Sequence, residues 1–109
     1  MKLIIAIVQK EDAADLSTTL IENGFYVTKL ATTGGFLKEG NVTFLIGAEK
    51  EKIEEIKSII KDTCKSRDMV ISNPTPYPLS EGSDINFGLT TKIGGATIFI
   101  LNIDEFEKY

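Results

Sequence analysis

Ala31-Thr32-Thr33-Gly34-Gly35-Phe36-Leu37-Lys38-Glu39-Gly40-Asn41-Val42-Thr43-Phe44-Leu45-Ile46-Gly47 reads as the end of one strand, a glycine-punctuated loop and a second strand. Gly34, Gly35 and Gly40 remove side-chain bulk, so the backbone N–H groups between them can lie against a ligand, most naturally an anion. Phe36 and Leu37 are costly to leave in water and are expected to cover a core, a neighbouring subunit or a flat ligand. Asn41 opens the strand Val42 to Ala48, in which Gly47 marks either a bulge or the close approach of a ligand. A long hairpin connection with turn glycines explains the same residues without any ligand.

To the N-terminal side, Leu3 to Val8 is apolar at every position and rich in β-branched residues, as in a central strand. Glu11-Asp12 opens a helix whose Ala13, Leu16 and Leu20 form one buried stripe, and Asn23-Gly24 stops it. Phe25 to Ala31 alternates and suits a strand nearer an edge. To the C-terminal side, Glu49 to Cys64 is amphipathic, with Ile53, Ile56, Ile60 and Cys64 on one face. Lys and Glu fill the other, including Glu54 and Lys57 at i, i+3.

Residues 65–91 change character, because all three prolines lie within Pro74-Thr75-Pro76-Tyr77-Pro78. Connections this long are usually functional or mobile. Met69-Val70-Ile71 and Ile85-Asn86-Phe87 are expected to pair across it as a short hairpin. Thr91 to Ile103 reads as a last apolar strand, and Asp104 to Tyr109 as a final helical turn pinning Phe106 on the core.

The order strand, helix, strand, strand, helix, strand predicts an α+β, ferredoxin-like βαββαβ domain over 1–109. A four-stranded antiparallel sheet would carry both helices on one face, with a glycine-rich loop at 32–40 and the proline-containing loop at 65–91. Two helices cover one face only, yet the first, third and last strands are apolar enough for both, which predicts self-association through the open faces.

Composition narrows the function. The chain has 109 residues, 42% of them hydrophobic, 26% charged, and a net charge of −4. Without a Lys/Arg cluster, it is not built to grip a nucleic-acid polymer. The opening apolar run ends after Val8 and meets charges without a cleavage signal, and no stretch is long enough to span a membrane. A single cysteine, Cys64, suits a reducing cytoplasm and in this register is a small core hydrophobe. There is no histidine to activate it and no P-loop, Gly-x-Ser-x-Gly or paired CxxC motif, so no enzyme, metal site or cofactor is expected.

The run Lys29 to Leu37, followed by Gly40-Asn41 and Gly47, with Gly94-Gly95-Ala96-Thr97 near the C-terminus, closely resembles the PII-like cyclic di-AMP receptor family. The resemblance extends from Leu3 to Phe106. It implies a non-enzymatic PII-like homotrimer that binds cyclic di-AMP between adjacent subunits and signals to a downstream protein by changing loop conformation. The implied pocket comprises Val27 and Thr28 of the second strand, Gly35, Phe36 and Leu37 of the loop, Asn41 and Gly47 of the third strand, and Gly94 and Gly95. Its chemistry is coherent. An asparagine amide such as Asn41 meets both the donor and the acceptor of adenine's N6/N7 edge, while Phe36 and Leu37 pack on a purine face. Where the family often has Arg and Gln, this chain has Tyr26 and Lys108. A PII-type ATP/ADP sensor and a structural or metal-tolerance trimer are the other functions known for this architecture.

Overall fold

A computed structural model describes residues 1–30, 40–70 and 90–109 of the chain. Its elements are β1 (Lys2–Gln9), α1 (Lys10–Glu22), β2 (Val27–Leu30), β3 (Asn41–Ala48), α2 (Ile53–Cys64), β4 (Arg67–Val70), β5 (Thr90–Ile93) and β6 (Ala96–Asn102). The four strands β2-β3-β1-β6 form one sheet in that order, and every ladder in it is antiparallel. Together with two helices on one face, this is the ferredoxin-like α+β arrangement that the order of elements predicts.

Alternation along the strands sets the two faces. Ile4, Ala6 and Val8 of β1 and Phe44, Ile46 and Ala48 of β3 point into a core completed by Leu16 and Leu20 of α1 and Ile53, Ile56, Ile60 and Cys64 of α2. The predicted stripes of both helices are therefore the buried ones. α1 ends as its sequence requires: Gly24 takes a left-handed φ of +88°, its N–H donates to the Ile21 carbonyl, and the Phe25 N–H donates to that of Leu20. That pairing caps the last turn and folds Phe25 back against the core.

Nothing among the described residues covers the other face of the sheet. Cross-strand partners share a face, so Phe99, Ile5 and Leu45 form one row across it, and Leu101, Leu3 and Gly47 the next. Leu3, Ile5, Ile7 and Leu45 are half-buried, whereas Phe99 is 53% and Leu101 45% exposed.

Several boundaries differ from the sequence reading. The second strand begins at Val27 instead of Phe25, because the α1 cap occupies Phe25. The start of the second helix is a 3₁₀ turn over Lys50–Lys52, with regular α-helix only from Ile53. The last strand is two strands. Gly94 and Gly95 both take positive φ, +85° and +96°, and the bend divides β5 from β6. β5 pairs with β4, from Arg67↔Ile93 to Val70↔Thr90, so both ends of the 65–91 segment are a two-stranded ribbon. Met69 and Val70 pair with Thr91 and Thr90 and not with the expected Ile85-Asn86-Phe87, which lies, like Ile71, outside the described residues. No helical turn follows β6, and Phe106 is 64% exposed instead of pinned to the core. Four of the five residues from Asp104 to Lys108 are charged, which leaves that segment little apolar surface with which to dock a helical turn.

Candidate functional site

One end of the sheet gathers the end of β1, the start of β3 and the Gly94-Gly95 bend. Gln9 and Asn41 are ladder partners there. A cavity of about 360 Å³ is lined by Gln9, Asn41, Gly94, Gly95 and Thr97, with Ile7 and Val8 behind them. Three sequence-predicted residues, Asn41, Gly94 and Gly95, thus meet in one place.

The two glycines are not free donors. The Gly94 N–H donates to the Gln9 side-chain carbonyl, at 2.7 Å, and the Gly95 N–H donates to the Cys64 carbonyl at the end of α2. Their absent side chains matter more. A Cβ on Gly94 would lie 2.6 Å from Arg67 Nη1 and 2.7 Å from the Lys65 carbonyl, so the bend packs flush against the ribbon base. Gly95 has open space where its Cβ would stand. The Gly40 carbonyl accepts from the Lys10 N–H at 2.7 Å, which ties the entry of β3 to the start of α1 and fixes Asn41 beside Gln9.

Behind the cavity lies an ion pair that sequence reasoning missed. Asp12 of α1 is 4% exposed. Arg67 of β4 clasps it from both sides, Nη2 to Oδ1 at 2.6 Å and Nη1 to Oδ2 at 3.4 Å, and Nη1 also donates to the Lys65 carbonyl at 3.1 Å. The hydrogen bond to Asp12 holds Arg67's pKa above its usual value. Burial, reinforced by the Asp12 charge and opposed by Arg67, pushes the Cys64 thiol up to about 11, leaving it no nucleophile. One signal for the pair was present: Arg67 is the only arginine beside eleven lysines, and a two-pronged clasp on a carboxylate needs the guanidinium fork. Gln9 carried no signal, since a polar residue at a strand end is ordinary.

The remaining described candidates lie toward the opposite end. Gly47 is six residues along β3 from Asn41, about 20 Å at strand rise. Thr28 pairs with Leu45 and is exposed on the open face; Val27 pairs with Ile46 and packs its side chain on the core, leaving only its backbone available. A second cleft of about 390 Å³ opens here between Tyr26, Gly47 and Lys52, and the Lys108 ammonium stands 5.9 Å from the centre of the Tyr26 ring. The tail thereby brings one cation to the Gly47 end. Gly35, Phe36 and Leu37 lie outside the described residues.

The profile of the protein family described as Cyclic-di-AMP receptor matches residues 1–109, the whole sequence. The chain belongs to that family. Among solved structures it is similar to the crystal structure of a functionally unknown protein from Pediococcus pentosaceus ATCC 25745, with 42% sequence identity. The match covers 99% of this chain and 96% of that one, at a TM-score of 0.76. The family binds cyclic di-AMP, so the relevant chemistry is recognition of a ligand, a cyclic dinucleotide with two adenines and two phosphates. Among the described residues no group of three or more His, Cys, Asp or Glu side chains could hold a metal, and no helix is long and apolar enough to cross a membrane.

Proposed function

We propose that this receptor binds cyclic di-AMP between the subunits of a cytoplasmic homotrimer, without turning it over, and signals to a protein partner through its loops. Family membership supplies the ligand. One observation carries the placement between subunits: within one chain the candidate residues divide between Asn41, Gly94 and Gly95 at one end of the sheet and Thr28 and Gly47 toward the other. A ligand with two adenines and two phosphates can be enclosed when a neighbouring chain brings the second half beside the first. The apolar rows through Phe99, Ile5 and Leu45 and through Leu101 and Leu3, which no other described residue covers, support association, because such a face is costly in water.

In this reading the Asn41 amide reads the N6/N7 edge of one adenine. Thr28 offers a hydroxyl from the open face, Gly47 leaves room for a ring, and Gly35, Phe36 and Leu37 cover the ligand from the loop. Gly94 and Gly95 contribute their flat backbone surface. Lys108, and Tyr26 beneath it, take the phosphate-side role that an arginine and a glutamine fill elsewhere in the family.

Titration calorimetry with cyclic di-AMP, cyclic di-GMP and ATP, alongside light scattering, tests the proposal. The expected result is a trimer mass and binding of cyclic di-AMP alone. Asn41→Ala should weaken that binding by about 1 to 3 kcal/mol, or about 5-fold to 150-fold, with the trimer intact. A monomer mass at micromolar concentration, or an unchanged affinity in Asn41→Ala, would overturn the corresponding part.

A further inference from the structure

The cavity at Asn41 and the base of the β4–β5 ribbon share a wall, built from a strand pairing, two hydrogen bonds and one close packing contact. Gln9 stands beside Asn41 in the β1–β3 ladder. Its side-chain carbonyl accepts the Gly94 N–H at 2.7 Å; only the oxygen of the amide can do so. Gly94, lacking a side chain, lies flush against the Arg67 guanidinium, and Arg67 is clasped to the buried Asp12 of α1. The series Asn41, Gln9, Gly94, Arg67, Asp12 therefore runs from the sheet end to the helical layer through the first residue of β4 and the residue after β5.

We propose that Gln9 is a positioning residue that couples the nucleotide site to the ribbon. It holds Gly94 and Arg67 in register with Asn41, so that ligand seated at Asn41 fixes the ribbon base in one arrangement. This inference rests on the receptor reading and adds to it the route by which occupancy reaches the ribbon. The geometry has the needed properties. Two of its links, Gln9 to Gly94 and Arg67 to Asp12, are directional hydrogen bonds, and close packing of Gly94 on Arg67 joins them, so a displacement of Gln9 is felt at Gly94 as a lost hydrogen bond. A ligand biases the ribbon only if it binds one arrangement better, and Gln9 lines the cavity itself, where it senses the ligand directly.

Full-length protein provides the test. Gln9→Leu keeps bulk and removes the acceptor, while Gln9→Glu keeps an acceptor in the same place. Amide exchange by NMR is followed at Gly94, Arg67–Val70 and Thr90–Ile93 with and without saturating cyclic di-AMP, and affinity by calorimetry. Without ligand, Gln9→Leu should raise the Gly94 exchange rate. With ligand, wild-type protein should show slowed exchange in both strands of the ribbon. Gln9→Leu should lose that slowing and bind about fivefold more weakly, the worth of one neutral hydrogen bond, and Gln9→Glu should recover both. Arg67→Lys, which keeps the charge but not the fork, should lose the same ligand-induced slowing with Gln9 untouched, and serves if Gln9→Leu fails to fold. Slowing that persists in Gln9→Leu at saturation, whatever its affinity, overturns the coupling. A wild-type protein that does not bind cyclic di-AMP overturns the receptor reading instead, and the ligand-free exchange at Gly94 still reports on the Gln9 contact.

Discussion

Replacing Gly94 by alanine separates two costs that a glycine at positive φ can hide. The first is torsional: at φ +85° an L-residue pays about 1 to 2 kcal/mol, less the gain of about 0.4 to 1 kcal/mol from restricting the unfolded chain. Gly24 at +88° and Gly95 at +96° carry the same torsional cost with nothing within 4 Å of the added methyl group, so alanine there should cost about 1 kcal/mol. The second cost belongs to Gly94 alone. Its methyl group would meet Arg67 Nη1 at 2.6 Å, the Lys65 carbonyl at 2.7 Å and the Cys64 carbonyl at 3.0 Å. The guanidinium can swing aside by loosening its hold on Asp12, but the two carbonyls are backbone at the end of α2 and cannot. Overpacking of this kind adds about 1 to 3 kcal/mol, for a total of about 2 to 4. Urea unfolding at one fixed protein concentration measures it. With a slope of about 2 kcal/mol per molar, Gly94→Ala should move the midpoint down by about 1 to 2 M and Gly95→Ala by about 0.5 M. Equal midpoints for the two variants would refute the assignment of Gly94 to close packing.

Four further outcomes follow from the same structure. Arg67→Ala should destabilise more than Asp12→Ala, and the double variant less than Arg67→Ala, because losing the arginine leaves a buried carboxylate unpaired; denaturant midpoints of the three order them. The folded Cys64 thiol is held protonated to about 11, above its ordinary 9.0, so native protein should resist a thiol-reactive dye at pH 8 and label on unfolding. The stability that goes with this is intact below about pH 9 and falls as the pH climbs from there through about 11, which pH-dependent urea titrations can follow. Phe99→Glu places a charge in the open apolar row and should lower the mass seen by light scattering while the helical circular dichroism remains.

Leu3 to Val8 and the stripes of the two helices revealed the fold because an unbroken β-branched run and a 3.6-residue period are each decided locally. Thr91 to Ile103 misled because hydrophobicity continues straight through Gly94-Gly95. Only the contact with Arg67 and the Lys65 carbonyl makes those glycines a corner, and such a contact is invisible in a linear reading. Phe106 misled for the opposite reason: flanked by Asp104, Glu105, Glu107 and Lys108, one aromatic ring does not outweigh the hydration of four charges. At the site, Asn41 was singled out by the family resemblance and by the fit of its amide to adenine's edge, since a strand-opening asparagine is otherwise an ordinary turn residue, and the cavity brings it beside Gly94 and Gly95. Gln9 and Asp12 did not, since their roles arise from partners 85 and 55 residues away.

The ladder between β4 and β5 ends at Val70 and Thr90, whose Cα atoms a paired antiparallel register holds about 5 Å apart. Whatever stretch of chain joins them leaves from and returns to a fixed socket clamped to α1 and α2. Lengthening such a stretch costs little, about 0.6 kcal/mol for each doubling. The described ribbon therefore sets where chain of any length departs and returns, so related receptors can present different joining segments from the same base.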